Sequence, residues 1–468
     1  MTNHREPRQH TSGARRRPAS VLAGIGMIAA LILAACSDAA APAAPATKPA
    51  VVGKPDGSAP DSGAPDSTTP SRRVDLAEPT FSNPTAITNP LFPKSKIPQT
   101  VALGAEGPEQ LRFEATQLPQ TRVIEWKGKK IETRVTHFVA YGDGRLIEIA
   151  FDHYAQADDG AVWYFGEDVD NYKDGAIENH NGTWLAGKDG NPGMIMPGSL
   201  KVGDMFRPED IPKVVYEEAT VLAVNLTVPG PRGQVNGAAR VSLKLLDGTV
   251  EEKLYAPDYG EYQGAVKSLN ELYDIAIAVS VDATPGAVPA ELASIVTKAV
   301  SIIDAAKAAD WNTASAASTE IEAAWTGYAK GGPWPRLTAQ MTTELAKLKT
   351  AITAKSASDA RQAAIHAATA SLDFQLRYRT PAEVDLSRLV LWTHQVVLDA
   401  DALGAGKLLG DAVVLNAIWK RAGHTVTSAT KRTTIETNLK DLLAAASAKD
   451  FATSATLAAT LRTNLVGP

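Results

Sequence analysis

Two histidine–aspartate pairs near the C-terminus have the residue types and spacing of a metal site. His366 and Asp373 lie seven residues apart, and so do His394 and Asp401. Seven residues along a helix return a side chain to nearly the same face, and facing helices can hold a transition metal between such ligands. Both histidines lie beside apolar stripes, which favours polar positions at the edge of the helix packing. Metal binding is therefore kept as an alternative function.

A second group of chemically suggestive residues is aromatic and sulfur-containing. It consists of Trp163, Phe165, Trp184, Met194 and Met196. Aromatic and methionine side chains are enriched in ligand pockets and in protein interfaces. Alternating aromatic residues in strands also commonly form a core, so the group predicts either a site for an apolar ligand or ordinary packing.

No complete catalytic motif is present in the sequence. It has no Gly-x-Ser-x-Gly turn and no His-Glu-x-x-His helix. The single cysteine excludes a disulfide framework and a cysteine-ligated zinc finger. We therefore expect no cofactor and no enzymatic activity, with a hydrolase built from distant residues as an alternative.

The lone cysteine closes a pattern that is typical of an export signal. Basic residues end at Arg17, an apolar run extends from Val21 to Ala35, and Cys36 follows. This run is shorter than the ~20 residues of a spanning helix, so residues 1–35 are interpreted as a signal peptide. Leu33-Ala34-Ala35-Cys36 resembles the lipobox of bacterial lipoproteins. The resemblance implies cleavage before Cys36 and the attachment of acyl chains, such as palmitate, to that residue. More than one chain is implied, because stable membrane anchoring takes more than one.

The charge of the chain restricts its partners. The whole sequence carries 47 Lys and Arg against 52 Asp and Glu, a net charge of −5. Removal of residues 1–35 takes away five arginines and one glutamate and leaves −9. An acidic chain without a Lys/Arg-rich run is a poor partner for nucleic acid. We expect contact with the cell membrane or outer membrane through the lipid on Cys36.

Three segments follow the predicted signal peptide. Residues 36–78 are rich in Ala, Pro, Ser and Thr and predict a disordered tether. Residues 79–283 contain short β-branched and aromatic runs separated by recurring Asp-Gly pairs, which are typical of hairpin turns. This segment predicts an antiparallel β meander, shaped as a half-barrel or a sandwich.

Residues 289–468 change to a helical, alanine-rich pattern with an internal repeat. At a shift of 94 residues Trp325 aligns with Trp419, and Leu348 aligns with Leu442. Two tandem units of about four helices each are the natural interpretation. The predicted fold class is therefore α+β and multidomain, with a β domain followed by an all-α tandem helical bundle.

Several motifs of the β segment occur together in other proteins. They are Asn89-Pro90-Leu91-Phe92-Pro93, the run from Asp159 to Asp168, Gly182-Thr183-Trp184, Met194-Ile195-Met196-Pro197, Val202-Gly203-Asp204 and Tyr255-Ala256-Pro257-Asp258-Tyr259-Gly260. Through them the segment resembles a family of uncharacterised bacterial secreted or lipoprotein β domains. The family carries no established activity, so the resemblance implies an exported β domain and nothing about chemistry.

Together these patterns predict an exported, lipid-anchored protein of the cell envelope that faces the periplasm or the cell surface. We expect it to act as a non-enzymatic binding or scaffold module. Its expected partners are the membrane and either a small apolar ligand or another envelope protein.

Overall fold

A computed structural model describes residues 72–332 and 334–467. The predicted signal peptide, Cys36 and most of the predicted tether lie outside the described residues. Strands occupy residues 72–278 and helices occupy residues 290–466. This confirms a β domain followed by an all-α domain.

Within the described residues, the β domain contains fifteen strands. Strand pairing begins at Arg72, inside the segment assigned to the tether from sequence. The strands are β1 (Arg72–Arg73), β2 (Gln99–Glu106), β3 (Glu109–Trp126), β4 (Lys129–Gly142), β5 (Arg145–Gln156), β6 (Val162–Lys173), β7 (Ala176–Asn179), β8 (Trp184–Leu185), β9 (Gly193–Met196), β10 (Asp204–Ile211), β11 (Val215–Gly230), β12 (Gly233–Leu245), β13 (Val250–Ala256), β14 (Gly260–Val266) and β15 (Glu271–Ala278).

All the strands belong to one sheet, in the order β1-β10-β11-β12-β13-β14-β15-β2-β3-β4-β5-β6-β7. Every pairing along this path is antiparallel except that of β1 with β10. β8 and β9 pair with β6, and β9 also lies beside β10. β6 and β10 are near opposite ends of this strand order, yet β9 contacts both of them. The sheet is therefore rolled, and β9 lies between its two ends.

Four of the five Asp-Gly pairs lie in hairpin turns, as the sequence predicted, and Asp189-Gly190 does not, because β8 and β9 each pair with β6. Asp143-Gly144, Asp159-Gly160 and Asp174-Gly175 connect β4 to β5, β5 to β6 and β6 to β7. Asp143 and Gly144 adopt φ angles of 48° and 73°, the left-handed region that tight two-residue turns require. Asp247-Gly248 lies in the β12–β13 turn, where Gly248 has a φ of 87° and Asp247 does not adopt a positive φ.

The eight helices in the part of the chain that the structure describes repeat in position at a shift of 94 residues. α3 and α7 begin and end 94 residues apart. Ala309 and Leu403, which are also 94 residues apart, both adopt a positive φ in the turn after a helix. The helices are α1 (Ala290–Lys307), α2 (Trp311–Ala329), α3 (Pro335–Thr353), α4 (Ala357–Gln375), α5 (Pro381–Asp401), α6 (Ala405–Ala422), α7 (Ala429–Ser447) and α8 (Phe451–Val466).

Each repeat packs as a four-helix bundle. In the first, α1 contacts α2 and α4, and α3 contacts α4; in the second, α5, α6, α7 and α8 repeat the arrangement. The equivalent Trp325 and Trp419 are buried at 9% and 8% exposure. α4 and α5 join the bundles. Among the described helices, none combines the length and apolar character needed to cross a membrane.

The sheet docks directly on the helices. Tyr141 of β4 stacks on Trp392 of α5, with ring centroids 6.1 Å apart. The β6–β7 turn approaches α6 so closely that a Cβ on Gly175 would lie 2.0 Å from the Gly406 carbonyl oxygen. Apolar side chains of β4 and β5, including Val139 and Ile149, share one buried cluster with the second bundle. The two domains therefore form a continuous interface.

Candidate ligand-binding cleft

A cleft of about 430 Å³ opens where the rolled sheet meets the two bundles. One wall comes from β2, β3, β15 and the β4–β5 turn, and the other comes from α3, α4 and α5. A space of this size, with mostly apolar walls and a few convergent polar groups, is typical of sites for small molecules.

The helical wall exists because α3 has two different faces. Leu337, Met341 and Leu348 are buried inside the first bundle. Arg336, Gln340, Thr343 and Lys347 recur at helical spacing on another face and line the cleft. Since this face carries small or polar side chains, α3 leaves space between itself and the sheet.

Six charged side chains meet at the base of the cleft, and we call them the junction network. Arg112 holds Asp373 through two hydrogen bonds, Nη1 to Oδ2 at 2.7 Å and Nη2 to Oδ1 at 2.9 Å. Arg388 donates to Oδ1 of Asp373 and to Oδ1 of Asp385, both at 2.8 Å. The members of the junction network are Arg112, Glu114, Asp373, Asp385, Arg388 and Arg421.

The junction network is electrically balanced and almost completely buried. Arg421, with a side chain 0% exposed, reaches Glu114 Oε2 at 2.7 Å and Asp385 Oδ1 at 3.0 Å. Burial acts to raise the pKa of Glu114, but the guanidinium groups of Arg388, Arg421 and Arg112 hold it well below its ordinary value. Glu114 is therefore ionised, and the network consists of three cations and three anions.

A hydrogen-bonded chain extends from the cleft to the interface with the sheet. His366 Nδ1 lies 3.2 Å from Glu344 Oε2, and its Nε2 lies 2.9 Å from Nε2 of Gln362. Gln362 and Gln395 bind each other through both amide groups, and Gln395 donates to Asp399 at 3.0 Å. Burial acts to raise the pKa of Glu344, but hydrogen bonds from His366 and Lys347 lower it.

This chain assigns the protons on His366. Gln362 uses one amide hydrogen for Gln395 and the other for His366 Nε2, so Nε2 is an acceptor and Nδ1 carries the hydrogen donated to Glu344. Among the described residues that line the cleft there is no serine or cysteine.

The five aromatic and methionine residues singled out from sequence lie elsewhere. Trp163, Phe165, Trp184, Met194 and Met196 are between 0% and 5% exposed and belong to one core cluster inside the β domain. The Trp184 indole donates to Glu209 Oε1 at 2.7 Å. None of the five lines the cleft. Their role in ligand binding stays a prediction.

The structure places the four predicted metal ligands with different partners. His366 lines the cleft, Asp373 belongs to the junction network, and His394 Nδ1 lies 2.9 Å from Arg462. Asp401 accepts hydrogen bonds from Lys307 and Arg361. Within residues 72–332 and 334–467, no group of three or more histidine, cysteine, aspartate or glutamate side chains is arranged to hold a metal ion.

Sequence reasoning did not identify most of the cleft. Arg112 and Asp373 are 261 residues apart, and the walls combine segments from both domains. Arg112 and Glu114 alternate with Leu111 and Phe113 in the sequence. This pattern is typical of a strand with one solvated face, so it does not indicate that both charges contact the helices.

Comparison of the chain with protein-family models, with curated proteins and with solved structures gives no match.

Proposed function

We propose that this chain is an exported, lipid-anchored envelope protein that binds a small molecule in the cleft between its β domain and its helical bundles. The observation that carries this proposal is the cleft itself, with about 430 Å³ of space between two domains that pack directly against each other. The lipobox resemblance at Cys36 supports the location, and the cleft supports the activity.

Two features of the cleft support binding over a purely structural role. Its base is held in place by the junction network, whose members already have their partners. Its walls offer apolar side chains such as Leu103, Leu272 and Leu391 for contact with a ligand. A preformed apolar site with fixed polar groups binds with little loss of conformational entropy.

Native mass spectrometry tests the binding activity. Purified protein is incubated with an organic extract of the host envelope, separated from free small molecules and weighed intact. We expect a bound small molecule in the wild type and in Thr342→Trp. We expect none in Thr343→Trp, because Thr343 lines the cleft while Thr342 does not. Both threonines are exposed on α3, which makes them a matched pair.

Two outcomes would contradict the binding activity. One is the absence of any bound molecule in the wild type. The other is equal retention in Thr343→Trp and Thr342→Trp, because a tryptophan at position 343 would occupy the space that the ligand needs.

The location is tested separately at Cys36. Growth with a labelled fatty acid should label the wild type and leave Cys36→Ser unlabelled, and the variant should leave the membrane fraction. A Ser37→Ala variant is the matched control and should remain labelled. Equal membrane retention of Cys36→Ser and the wild type would contradict anchoring through this residue.

A further inference from the structure

Every arginine and lysine among the described residues that line the cleft already pairs with a carboxylate. Arg336 pairs with a carboxylate of β15, and Lys347 lies 2.8 Å from Glu344. Arg112 and Arg388 belong to the junction network, in which three cations face three anions. An anionic ligand would therefore have to compete with an existing ion pair before it gained a counter-ion in the cleft.

One carboxylate of the cleft has no cationic partner. Asp143 is exposed in the β4–β5 turn, where its Oδ1 accepts a hydrogen bond from the Gln110 backbone nitrogen at 3.0 Å. No ion pair joins this carboxylate to a lysine, arginine or histidine in the part of the chain that the structure describes. When each lining charge is counted with its ion-pair partners, the cleft keeps one negative charge, and that charge is on Asp143.

The β4–β5 turn brings this charge to the helical wall. A Cβ on Gly144 would lie 3.4 Å from His366 Nε2, so the turn that carries Asp143 contacts α4. His366 binds Glu344 of α3 through its Nδ1. The imidazole of His366 therefore lies between a carboxylate of the helical wall, which has Lys347 as a partner, and a carboxylate of the sheet wall, which has none.

The remaining walls indicate the form of the rest of the ligand. Leu103, Leu111 and Leu272 contribute apolar side chains to the sheet wall, and hydrocarbon that lies against them is removed from water. Tyr141 and Trp392, whose ring centroids are 6.1 Å apart, line the same cleft. The faces of aromatic rings attract cations because they carry partial negative charge. These walls therefore suit an apolar body and favour a positive head group over a negative one.

Resting on the proposed function, we propose that the cleft takes an amphiphile with a positively charged amine head and an apolar body. The ammonium group forms an ion pair with Asp143, and the apolar body lies against the leucines of the sheet wall. A carboxylate of the same length is disfavoured, because it meets Asp143 with like charge and finds no unpaired cation. An uncharged head of the same length gains nothing from Asp143.

Calorimetric titration with three probes of equal chain length tests the charge of the head group. Octylammonium, octanamide and octanoate are each titrated into the full chain at neutral pH, with buffer alone as the blank. We expect octylammonium to bind at least about 10-fold more tightly than octanoate, because one head attracts the Asp143 carboxylate and the other repels it. Octanamide should bind with intermediate affinity. Equal or tighter binding of octanoate or octanamide would overturn the inference, as would no binding of octylammonium.

The ion pair itself is tested with Asp143→Asn, which preserves the turn. Asp143 has a φ of 48°, which asparagine also adopts, and the asparagine side-chain oxygen can still accept from Gln110. The variant should bind octylammonium about 3- to 10-fold more weakly than the wild type. Asp174→Asn is the matched control, because Asp174 has a φ of 50° in the β6–β7 turn and does not line the cleft. Wild-type affinity in Asp143→Asn, or an equal loss in Asp174→Asn, would overturn the assignment of Asp143.

These results separate the ligand class from the proposed function. Thr343→Trp should abolish octylammonium binding and Thr342→Trp should retain it, which places the probe in the cleft. If octylammonium fails to bind but the envelope extract still yields a bound molecule that Thr343→Trp removes, the inference about the ligand is wrong and the binding function holds. If the extract yields no bound molecule either, both are wrong.

Discussion

At the residue scale, the interface between the β domain and the helices contains equal numbers of buried positive and negative side chains. Arg421 is the clearest case, because its guanidinium is 0% exposed and bridges Glu114 of the sheet to Asp385 of α5. Breaking a buried ion pair from one side leaves an uncompensated charge, which typically costs more than the intact pair contributes. The junction network thus specifies how the domains dock more than it adds to stability.

Replacing Arg421 tests this account. We expect Arg421→Met to lower the free energy of unfolding by about 3–5 kcal/mol, because Glu114 is left buried and poorly compensated. Arg122→Met is the control: its pair with Asp168 is 36% and 56% exposed, so the loss should stay within about 1 kcal/mol. The measurement is urea denaturation followed by circular dichroism. Similar losses in both variants would show that the network is not a buried charge cluster.

At the scale of elements, glycine permits the closest contact between the domains. Gly175 adopts φ +76°, and a Cβ there would also lie 2.5 Å from the Gly410 backbone nitrogen of α6. Gly406 on the opposite side would bring its own Cβ to 2.7 Å from the Asp174 carbonyl oxygen. Glycine is therefore needed at both positions, Gly175 and Gly406, where the β6–β7 turn contacts α6.

Two alanine substitutions distinguish the steric effect of this contact on stability from the effect of a positive φ alone. Gly175→Ala and Gly128→Ala introduce a side chain at similar φ angles, +76° and +71°, but a Cβ on Gly128 meets nothing within 4 Å. We expect Gly175→Ala to be less stable than Gly128→Ala by at least about 2 kcal/mol, as other overpacked contacts are. Thermal unfolding measures the difference. Equal melting temperatures would contradict the close docking of the turn on α6.

Elements were also the scale at which sequence reasoning worked best. Asp-Gly pairs predicted the β4–β5 and β6–β7 turns because positive φ is a local requirement. The 94-residue repeat predicted the helical organisation because Trp325 and Trp419 fill equivalent packing positions. The cleft could not be predicted in this way: Tyr141, His366 and Trp392 come together only through the docking of the two domains.

At the scale of the whole molecule, buried carboxyl groups of the β domain set the dependence of stability on pH. Burial raises the pKa of Asp152 to about 7 and that of Asp282 to about 6. Burial also raises the pKa values of Glu148, Glu167, Glu209 and Glu251 well above their ordinary range. The folded protein therefore binds more protons than the unfolded chain between about pH 4 and 7.

The sign of the effect follows from this excess of bound protons. Unfolding releases protons in this window, so the free energy of unfolding falls as pH rises, by about 1.4 kcal/mol per pH unit for each group titrating near 7. We expect the melting temperature to be higher at pH 6 than at pH 8. Asp152→Asn should flatten this dependence, and the exposed Asp258→Asn should not. A melting temperature that rises from pH 6 to pH 8 would contradict the assignment.

The central claim is that the interdomain cleft is the ligand site, and hydrogen–deuterium exchange tests it most directly. Protein incubated with the envelope extract is compared with untreated protein, peptide by peptide. We predict slower exchange in both walls at once, in α3 and in the β4–β5 turn that carries Asp143 and Gly144. Slower exchange confined to β6 and β9, which hold Trp163 and Met194, or unchanged exchange in both walls, would contradict the claim.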